Sequence, residues 1–166
     1  MKKNRNNGAL MDILKKKIRD IPDFPKPGIV FKDITPILQD HEAMTAVIDD
    51  FAKRYEGKGI KVVAGIESRG FLFGTPLAQK LKASFVPIRK AGKLPYDTVS
   101  KSYDLEYGSA TIEMHTDAIK KGDRVLIIDD LLATGGTASA ACDLIKQQGG
   151  KVEECAFVVE LGFLNG

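Results

Sequence analysis

The 166-residue sequence contains no tryptophan and only two cysteines and two histidines. With so few of these residues, and neither a CxxC pair nor paired histidines, a disulfide-stapled scaffold and a zinc ribbon are excluded. No apolar run approaches the roughly 18 residues of a membrane-spanning helix. Polar residues 4–8 also stand where a signal peptide would have its apolar segment. The sequence therefore predicts a soluble, cytoplasmic protein that does not associate with membranes.

Charge is nearly balanced, since 25 Lys and Arg against 22 Asp and Glu leave a net charge of +3. Such a small surplus does not indicate nucleic-acid binding. The composition, 43% hydrophobic and 28% charged, is typical of a globular chain, and the length favours one domain with a sizeable core. We expect residues 1–10 to form a disordered tail and residues 11–166 to form a single domain.

Short apolar runs and helical patterns alternate through the C-terminal two-thirds of the chain. Such an alternation is typical of an α/β fold with a mostly parallel, twisted sheet and helices on both faces. Strands are predicted at residues 62–66, 85–88, 125–128 and 155–161, and helices at residues 71–81 and 137–148.

Two stretches depart from this alternation. Four prolines within residues 20–36 predict an ordered loop rather than a regular element, followed by a helix that Asp40 caps. Residues 91–102 are polar and contain Gly and Pro, and residues 103–107 and 110–114 alternate as in an antiparallel ribbon. The ribbon is therefore expected to interrupt the series of parallel strands between the second and the third.

The strongest functional signal is the run VLIIDDLLATGGT at residues 125–137. A buried strand is predicted to end at Asp129 and Asp130, and Gly135 and Gly136 follow at the start of a helix. The glycines allow successive backbone N–H groups to converge on an anion, and the helix N-terminus adds about half a positive charge. The two carboxylates would repel a phosphate, so they are better suited to sugar hydroxyls or a magnesium ion. Together these features favour a ribose 5-phosphate site at the carboxyl edge of the sheet.

The alternative is a solvated strand end followed by an ordinary turn, and a Gly-Gly pair alone would not exclude it. Four apolar residues, two acids and Thr-Gly-Gly-Thr in one unbroken run argue against that interpretation. The chain contains neither a GxxxxGK[ST] loop nor a GxGxxG fingerprint, so those two nucleotide-binding motifs are excluded.

The run at residues 125–137 resembles the phosphoribosyl-diphosphate signature of type I phosphoribosyltransferases. The resemblance extends from about Met11 to Asn165, and it implies the type I fold, with a small N-terminal hood at about residues 11–36 and a flexible antiparallel loop at residues 91–102. Four further segments narrow it to the adenine phosphoribosyltransferases: DFPKPGIVFKD at residues 23–33, ESRGF at 67–71, RKAGKLP at 89–95 and YDLEYG at 103–108.

This resemblance implies that the chain transfers the 5-phosphoribosyl group from phosphoribosyl diphosphate to adenine, giving AMP and pyrophosphate in purine salvage. It also implies a homodimer. A magnesium ion would be held mainly by substrate phosphates, ribose hydroxyls and water, with no set of protein ligands. The expected partners are these small-molecule substrates, and neither nucleic acid nor a membrane is among them.

The resemblance also implies roles for individual residues. Glu106 would be the catalytic acid/base, which exchanges a proton with the purine ring, and Tyr107 would pack over the closed site. The implied binding groups are three: the phosphoribosyl 5-phosphate at Asp129, Asp130, Ala133, Thr134, Gly135, Gly136 and Thr137; the diphosphate at Ser68, Arg69, Arg89, Lys90 and Lys93; and adenine at Val30, Phe31 and Lys32.

Taken without the family, these residues leave other interpretations open. Arg69 fits a solvated turn about as well as an anion site. Glu106 beside Tyr and Gly is ordinarily solvent-facing, and Val30 and Phe31 are compatible with apolar side chains that fill the core.

Two other functions are alternatives to adenine phosphoribosyl transfer. A 6-oxopurine phosphoribosyltransferase would build its hood differently from the Val-Phe-Lys segment. A phosphoribosyl diphosphate sensor would carry a DNA-binding domain, for which about ten residues before the first helix are too few.

Overall fold

The computed structural model describes residue 12 and residues 14–104 and 108–166. The chain forms two compact units, which divide in sequence between Phe51 and Ala52. Residues 1–10, predicted as a tail, lie outside the described part, and the prediction of a single domain from residue 11 stays a prediction. None of the helices within the described ranges is long and apolar enough to cross a membrane.

The N-terminal unit contains a two-stranded antiparallel hairpin where the prolines predicted a loop, so that prediction is wrong. In the hairpin Ile21 pairs with Phe31. The prolines are compatible with it because Pro22 is the last residue of its strand and Pro36 lies in the first turn of a helix, where no N–H partner is lost. The elements of this unit are β1 (Arg19–Pro22), β2 (Val30–Asp33), α1 (Thr35–Leu38) and α2 (His41–Tyr55), which continues into the second unit.

The predicted cap of α2 is confirmed. Asp40 Oδ1 accepts the backbone N–H of Ala43 at 3.0 Å, which satisfies one of the donors that the helix itself leaves unpaired. Val47, Ile48 and Phe51 recur at helical spacing and are buried. The local sequence therefore determines both the start of this helix and the face that it buries.

The second unit is built on a six-stranded sheet in the order β5-β6-β4-β3-β7-β8. The strands β4, β3, β7 and β8 are parallel, and β6 and β5 add an antiparallel ribbon beside β4, as predicted. The elements are β3 (Val62–Ile66), α3 (Arg69–Leu81), β4 (Ser84–Lys90), β5 (Thr98–Asp104), β6 (Ser109–His115), β7 (Arg124–Leu132), α4 (Gly136–Gln147), β8 (Lys151–Glu160) and the short 3-10 helix Gly162–Leu164.

Helices cover both faces of this sheet. On one face, Ala64 of β3 belongs to the same buried cluster as Leu144 of α4. On the other, Gly65 of β3 and Gly74 of α3 lie so close to the Phe85 ring that an added Cβ would come within 2.7 and 2.6 Å of it. Successive strand residues point to opposite faces, so neighbouring residues of β3 contact different helices. The predicted fold class is confirmed.

Two boundaries differ from the sequence prediction. The strand β7 does not end at the acidic pair but continues to Leu132, because β8 keeps pairing with it, up to Leu132 opposite Glu160. The second half of the predicted loop at residues 91–102 is strand β5, whose first residue, Thr98, pairs with His115. In both places a neighbouring strand satisfies the backbone of a polar segment that looks like loop when read alone.

The two cysteines lie on adjacent elements of the second unit. Cys142 on α4 and Cys155 on β8 are free thiols, and their Sγ atoms are 3.4 Å apart. Burial, reinforced by the contact with Cys142, raises the pKa of the Cys155 thiol to about 12. This thiol is therefore protonated and unreactive at neutral pH.

Candidate active site

Polar side chains from three parallel strands meet at the carboxyl edge of the sheet, where α/β proteins bind their ligands. A cavity of about 150 Å³, the inner cavity, is lined there by Glu67, Lys90, Tyr103, Asp129 and Thr137. Its apolar wall consists of Ile66, Ile88 and Ile112. A second cavity of about 90 Å³, the loop cavity, is bordered by Asp129 and by residues 131–138. Asp129 thus lines both cavities.

Residues 133–137, called the TGGT loop after the last four of them, connect β7 to the first turn of α4 and border the loop cavity. Gly135 has a φ of +82°, a left-handed conformation that a side chain disfavours, and it stands at the N-cap of the helix. Gly136 is the first helical residue. A helix therefore begins at this point, as the sequence predicted, and the backbone N–H groups at a helix N-terminus favour an anion.

The two neighbouring acids, Asp129 and Asp130, have different surroundings in the structure, although the sequence predicted similar surroundings for both. The Asp130 carboxylate is buried, and its Oδ2 lies 2.9 Å from Nε of Arg69 in an ion pair. The Asp129 carboxylate is only partly buried, and its Oδ1 accepts the backbone N–H of Asp130 at 2.9 Å. Asp129 is therefore the acid that lines the cavities, and Asp130 holds Arg69.

A close approach of α3 to β7 positions Arg69. Gly70 is buried in the first turn of α3, and an added Cβ would lie 2.6 Å from the Ile128 carbonyl oxygen. Only glycine allows this contact without displacement of the backbone. The neighbouring Ser68 is exposed, and the peptide bond between Glu67 and Ser68 is cis.

Three of the predicted diphosphate-binding residues contact Glu67, an acid to which the sequence analysis gave no role. Oε2 of Glu67 accepts the backbone N–H of Lys90 at 3.0 Å and lies 3.3 Å from Nε of Arg89, while Oε1 pairs with Nζ of Lys93. Burial alone would raise the pKa of Glu67, but the hydrogen bonds from Lys93, Lys90 and Arg89 outweigh it and lower the pKa. These four residues are called the Glu67 cluster.

Glu113 is a second acid that the sequence did not reveal. Its buried carboxylate accepts the backbone N–H groups of Lys93 and Leu94 at 3.1 and 3.2 Å, and the Thr98 hydroxyl at 3.4 Å. It therefore anchors the turn that carries Lys93 into the Glu67 cluster. The pairing of β6 with β4 brings Glu113 opposite Arg89, a long-range register that no local pattern encodes.

The ribbon also contacts the TGGT loop. Oγ1 of Thr137 donates a hydrogen bond to the Tyr103 hydroxyl at 2.9 Å. An added Cβ at Gly136 would lie 3.6 Å from Cδ2 of Tyr103, so the ring packs directly on the first residue of α4. Because Tyr103 and Thr137 also line the inner cavity, this contact forms part of the site.

The remaining predicted residues are placed in part. Glu106 and Tyr107 lie outside the described residues. In the N-terminal unit, Val30 is exposed, the Phe31 ring lies edge-to-face with Phe24 at 5.3 Å, and Lys32 pairs with Asp20 at 2.5 Å. Within residues 14–104 and 108–166, no three His, Cys, Asp or Glu side chains are grouped so as to hold a metal ion.

We expect Asp129→Asn to stabilise the ligand-free protein at alkaline pH. Burial, with the nearby Asp130 charge, raises the pKa of Asp129 to about 7, against about 3.9 in an unfolded chain. The folded state therefore retains a proton that the unfolded state releases, so this group's stabilisation is full below about pH 4 and lost as pH rises through about 7. Asparagine removes the buried charge and keeps the Oδ1 acceptor. The melting temperature should exceed that of the unmodified chain by about 2–4 °C at pH 8.

At pH 5 the two proteins should differ little. The control is Asp143→Asn, which removes a carboxylate paired with Lys101 at 2.8 Å on the surface and makes the same change in net charge. This control should not stabilise the protein at pH 8. If the melting temperatures of D129N and the unmodified chain change by the same amount between pH 5 and pH 8, the raised pKa of Asp129 is contradicted.

Comparisons with known proteins agree with this geometry. Residues 35–162 match the family model described as "Phosphoribosyl transferase domain". The adenine phosphoribosyltransferase of Geotalea daltonii is 60% identical over 156 residues, which cover 94% of this chain and 91% of that relative.

Two solved structures are also similar along nearly the whole chain. The adenine phosphoribosyltransferase from Rhodothermus marinus has a TM-score of 0.91 and 54% identity, covering 96% of this chain and 91% of that one. The Saccharomyces cerevisiae enzyme, complexed with D-2,5-dideoxy-2,5-imino-altritol 1,6-bisphosphate and adenine, has a TM-score of 0.92 and 42% identity, covering 96% and 93%. The chain therefore belongs to the adenine phosphoribosyltransferases, a group within the phosphoribosyl transferase family.

Proposed function

We propose that the residues around the two cavities bind one substrate, phosphoribosyl diphosphate, with one group of residues at its 5-phosphate end and another at its diphosphate end. The chain is an enzyme that transfers the 5-phosphoribosyl group of this compound to adenine, giving AMP and pyrophosphate in purine salvage. One observation carries the assignment of roles: Thr137 of the TGGT loop, two members of the Glu67 cluster and Asp129 line the same inner cavity. An anion site, a cation cluster and a hydroxyl-binding acid are therefore adjacent.

The 5-phosphate binds at the TGGT loop. Residues 133–137 offer backbone N–H groups at the start of α4, and Thr134 and Thr137 add hydroxyl donors. Asp129 borders this loop and accepts hydrogen bonds from the ribose hydroxyls. Asp130 completes the hydroxyl site when the diphosphate draws Arg69 away from its carboxylate, since the ion pair of 2.9 Å otherwise occupies it.

The diphosphate binds at Ser68, Arg69 and the cations of the Glu67 cluster. Glu67 pairs with both Arg89 and Lys93, holds them close together and offsets one of their two charges. A diphosphate competes with Glu67 for these cations and presents more negative charge than one carboxylate. As the bond from ribose to the diphosphate breaks, charge builds up on the leaving oxygens, and positioned cations stabilise that charge.

Adenine binds at the hood, and Glu106 moves the proton. The Phe31 ring stacks on the base, and the backbone near Val30 and Lys32 reads its edge. The support for backbone recognition is that β2 pairs with β1 alone among the described strands, so it is an edge strand there. Adenine loses a ring proton when its nitrogen bonds to ribose, and Glu106 accepts that proton. Tyr107 packs over the closed site.

A magnesium ion would accompany the substrate and would supply charge neutralisation on the diphosphate. Substrate phosphates, ribose hydroxyls and water would hold most of it, and the Asp129 carboxylate at the cavities could contribute an oxygen. We also propose that the chain works as a homodimer in the cytoplasm, where its two free thiols stay reduced.

The assignment is tested by product formation from phosphoribosyl diphosphate and adenine. We expect AMP and pyrophosphate in equal amounts, and no AMP when ribose 5-phosphate replaces the substrate, because it lacks the leaving group. Arg89→Gln should raise KM for phosphoribosyl diphosphate about 10-fold or more, since it removes a charged donor. Arg124→Gln is the matched control, because Arg124 pairs with Glu153 at the start of β7. Equal effects of the two variants would refute the diphosphate assignment.

A further inference from the structure

The contact between the ribbon and the TGGT loop is more than a single hydrogen bond. Besides the 2.9 Å bond from Thr137 to Tyr103, the backbone carbonyl of Asp104 lies close to Gly136, 3.7 Å from an added Cβ. Further along, Lys101 pairs with Asp143 of α4 at 2.8 Å. The strand β5 is thus held against α4 at three points between Gly136 and Asp143, with Tyr103 and Asp104 at the end nearest the loop.

The chemistry of the two hydroxyls determines what happens when an anion binds. A hydroxyl group has one proton to donate and can accept hydrogen bonds as well. In this structure Thr137 Oγ1 is the donor and the Tyr103 hydroxyl oxygen is the acceptor. A phosphate oxygen can only accept, so Thr137 must turn its proton toward a bound phosphate. The Tyr103 hydroxyl can then donate its own proton to Thr137 Oγ1, and the contact survives with its direction reversed.

We propose that Tyr103 is a positioning residue for the 5-phosphate, which it contacts only through Thr137. The reversed chain of hydrogen bonds runs from the Tyr103 hydroxyl to Thr137 and from Thr137 to the phosphate. Each bond in such a chain polarises the next, so Tyr103 makes Thr137 a better donor and fixes its rotamer. This inference rests on the proposed binding of the 5-phosphate at the TGGT loop.

The role of Tyr103 gives a selective kinetic signature. Tyr103→Phe keeps the ring that packs on Gly136 and removes only the hydroxyl. We expect KM for phosphoribosyl diphosphate and the inhibition constant of ribose 5-phosphate each to rise roughly 3- to 10-fold, the range of one hydrogen bond. The inhibition constant of pyrophosphate, which binds at the Glu67 cluster, should stay within about twofold, and so should KM for adenine. Tyr55→Phe removes a buried tyrosine hydroxyl outside both cavities and should change none of these constants.

A double-mutant cycle with Thr137 tests whether Tyr103 acts through it. Thr137→Val should weaken ribose 5-phosphate inhibition more than Y103F does, and Y103F should add nothing in the T137V background. Thr137→Ser keeps the hydroxyl. In the T137S background, Y103F should therefore again weaken ribose 5-phosphate inhibition. Additive losses in Y103F and T137V, an equal rise in the pyrophosphate constant, or unchanged ribose 5-phosphate inhibition in Y103F would each overturn the proposal. If ribose 5-phosphate fails to inhibit the unmodified enzyme, the phosphate assignment itself is wrong.

Discussion

Glu106→Gln should lower kcat by roughly 10²- to 10⁴-fold while the affinity for phosphoribosyl diphosphate changes little. The amide is nearly isosteric with the carboxylate and can still form hydrogen bonds, but it cannot accept the proton that adenine loses. The sequence that supports this role is YDLEYG at residues 103–108, whose first two residues end the strand that contacts the TGGT loop. The decisive measurement is the single-turnover rate, because slow product release can hide a chemical defect in kcat.

Two variants separate this role from other effects of a lost charge. Asp104→Asn makes the same chemical change two residues earlier, at an exposed position of β5, and should leave the single-turnover rate near that of the unmodified enzyme. Asp130→Asn should instead raise KM for phosphoribosyl diphosphate, because Asp130 pairs with Arg69 and serves substrate binding. A near-normal single-turnover rate in E106Q would show that another group, or water, accepts the proton.

Adenine should be used at least about 100-fold better than hypoxanthine or guanine, measured as kcat/KM. A site built of backbone donors and acceptors leaves those groups unpaired when the wrong base enters, and each unpaired buried group has a large free-energy cost. Among the described strands β2 pairs with β1 alone, so the backbone of Val30 and Lys32, on either side of Phe31, belongs to an edge strand. Comparable kcat/KM for a 6-oxopurine would favour the alternative base specificity and exclude the proposed role of this strand.

The role of the Phe31 ring can be separated from its packing. Phe31 and Phe24 form an edge-to-face pair at 5.3 Å, so alanine at either position removes the same contact. Phe31→Ala should raise KM for adenine, because it also removes stacking on the base, while KM for phosphoribosyl diphosphate changes little. Phe24→Ala is the matched control, and equal effects of the two variants would mean that Phe31 acts only by packing.

The sequence by itself determined the features that depend on near neighbours in the chain. The buried runs at residues 62–66 and 125–128, the cap at Asp40 and the glycines of the TGGT loop follow from local polarity and backbone conformation. The resemblance to the adenine phosphoribosyltransferases can be recognised from the sequence for the same reason, because each of its five motifs is a contiguous segment of the chain.

Tertiary structure decided which of these residues meet. The hairpin of β1 and β2 was not predicted, because the prolines indicate a loop when each segment is considered alone. Strand pairing depends on a partner about ten residues away. The surroundings of Asp129 and Asp130 differ because Gly70 lets α3 approach β7 closely enough for Arg69 to form an ion pair with the second acid.

The acids Glu67 and Glu113 look like ordinary surface residues in the sequence. They become part of the site because the register of β3, β4 and β6 places them beside Arg89 and Lys93. The bond from Thr137 to Tyr103 spans 34 residues and has no local signature. Residue identity sets what each side chain can donate, accept or neutralise, but its partner is set by strand order and helix approach, which only the folded chain determines.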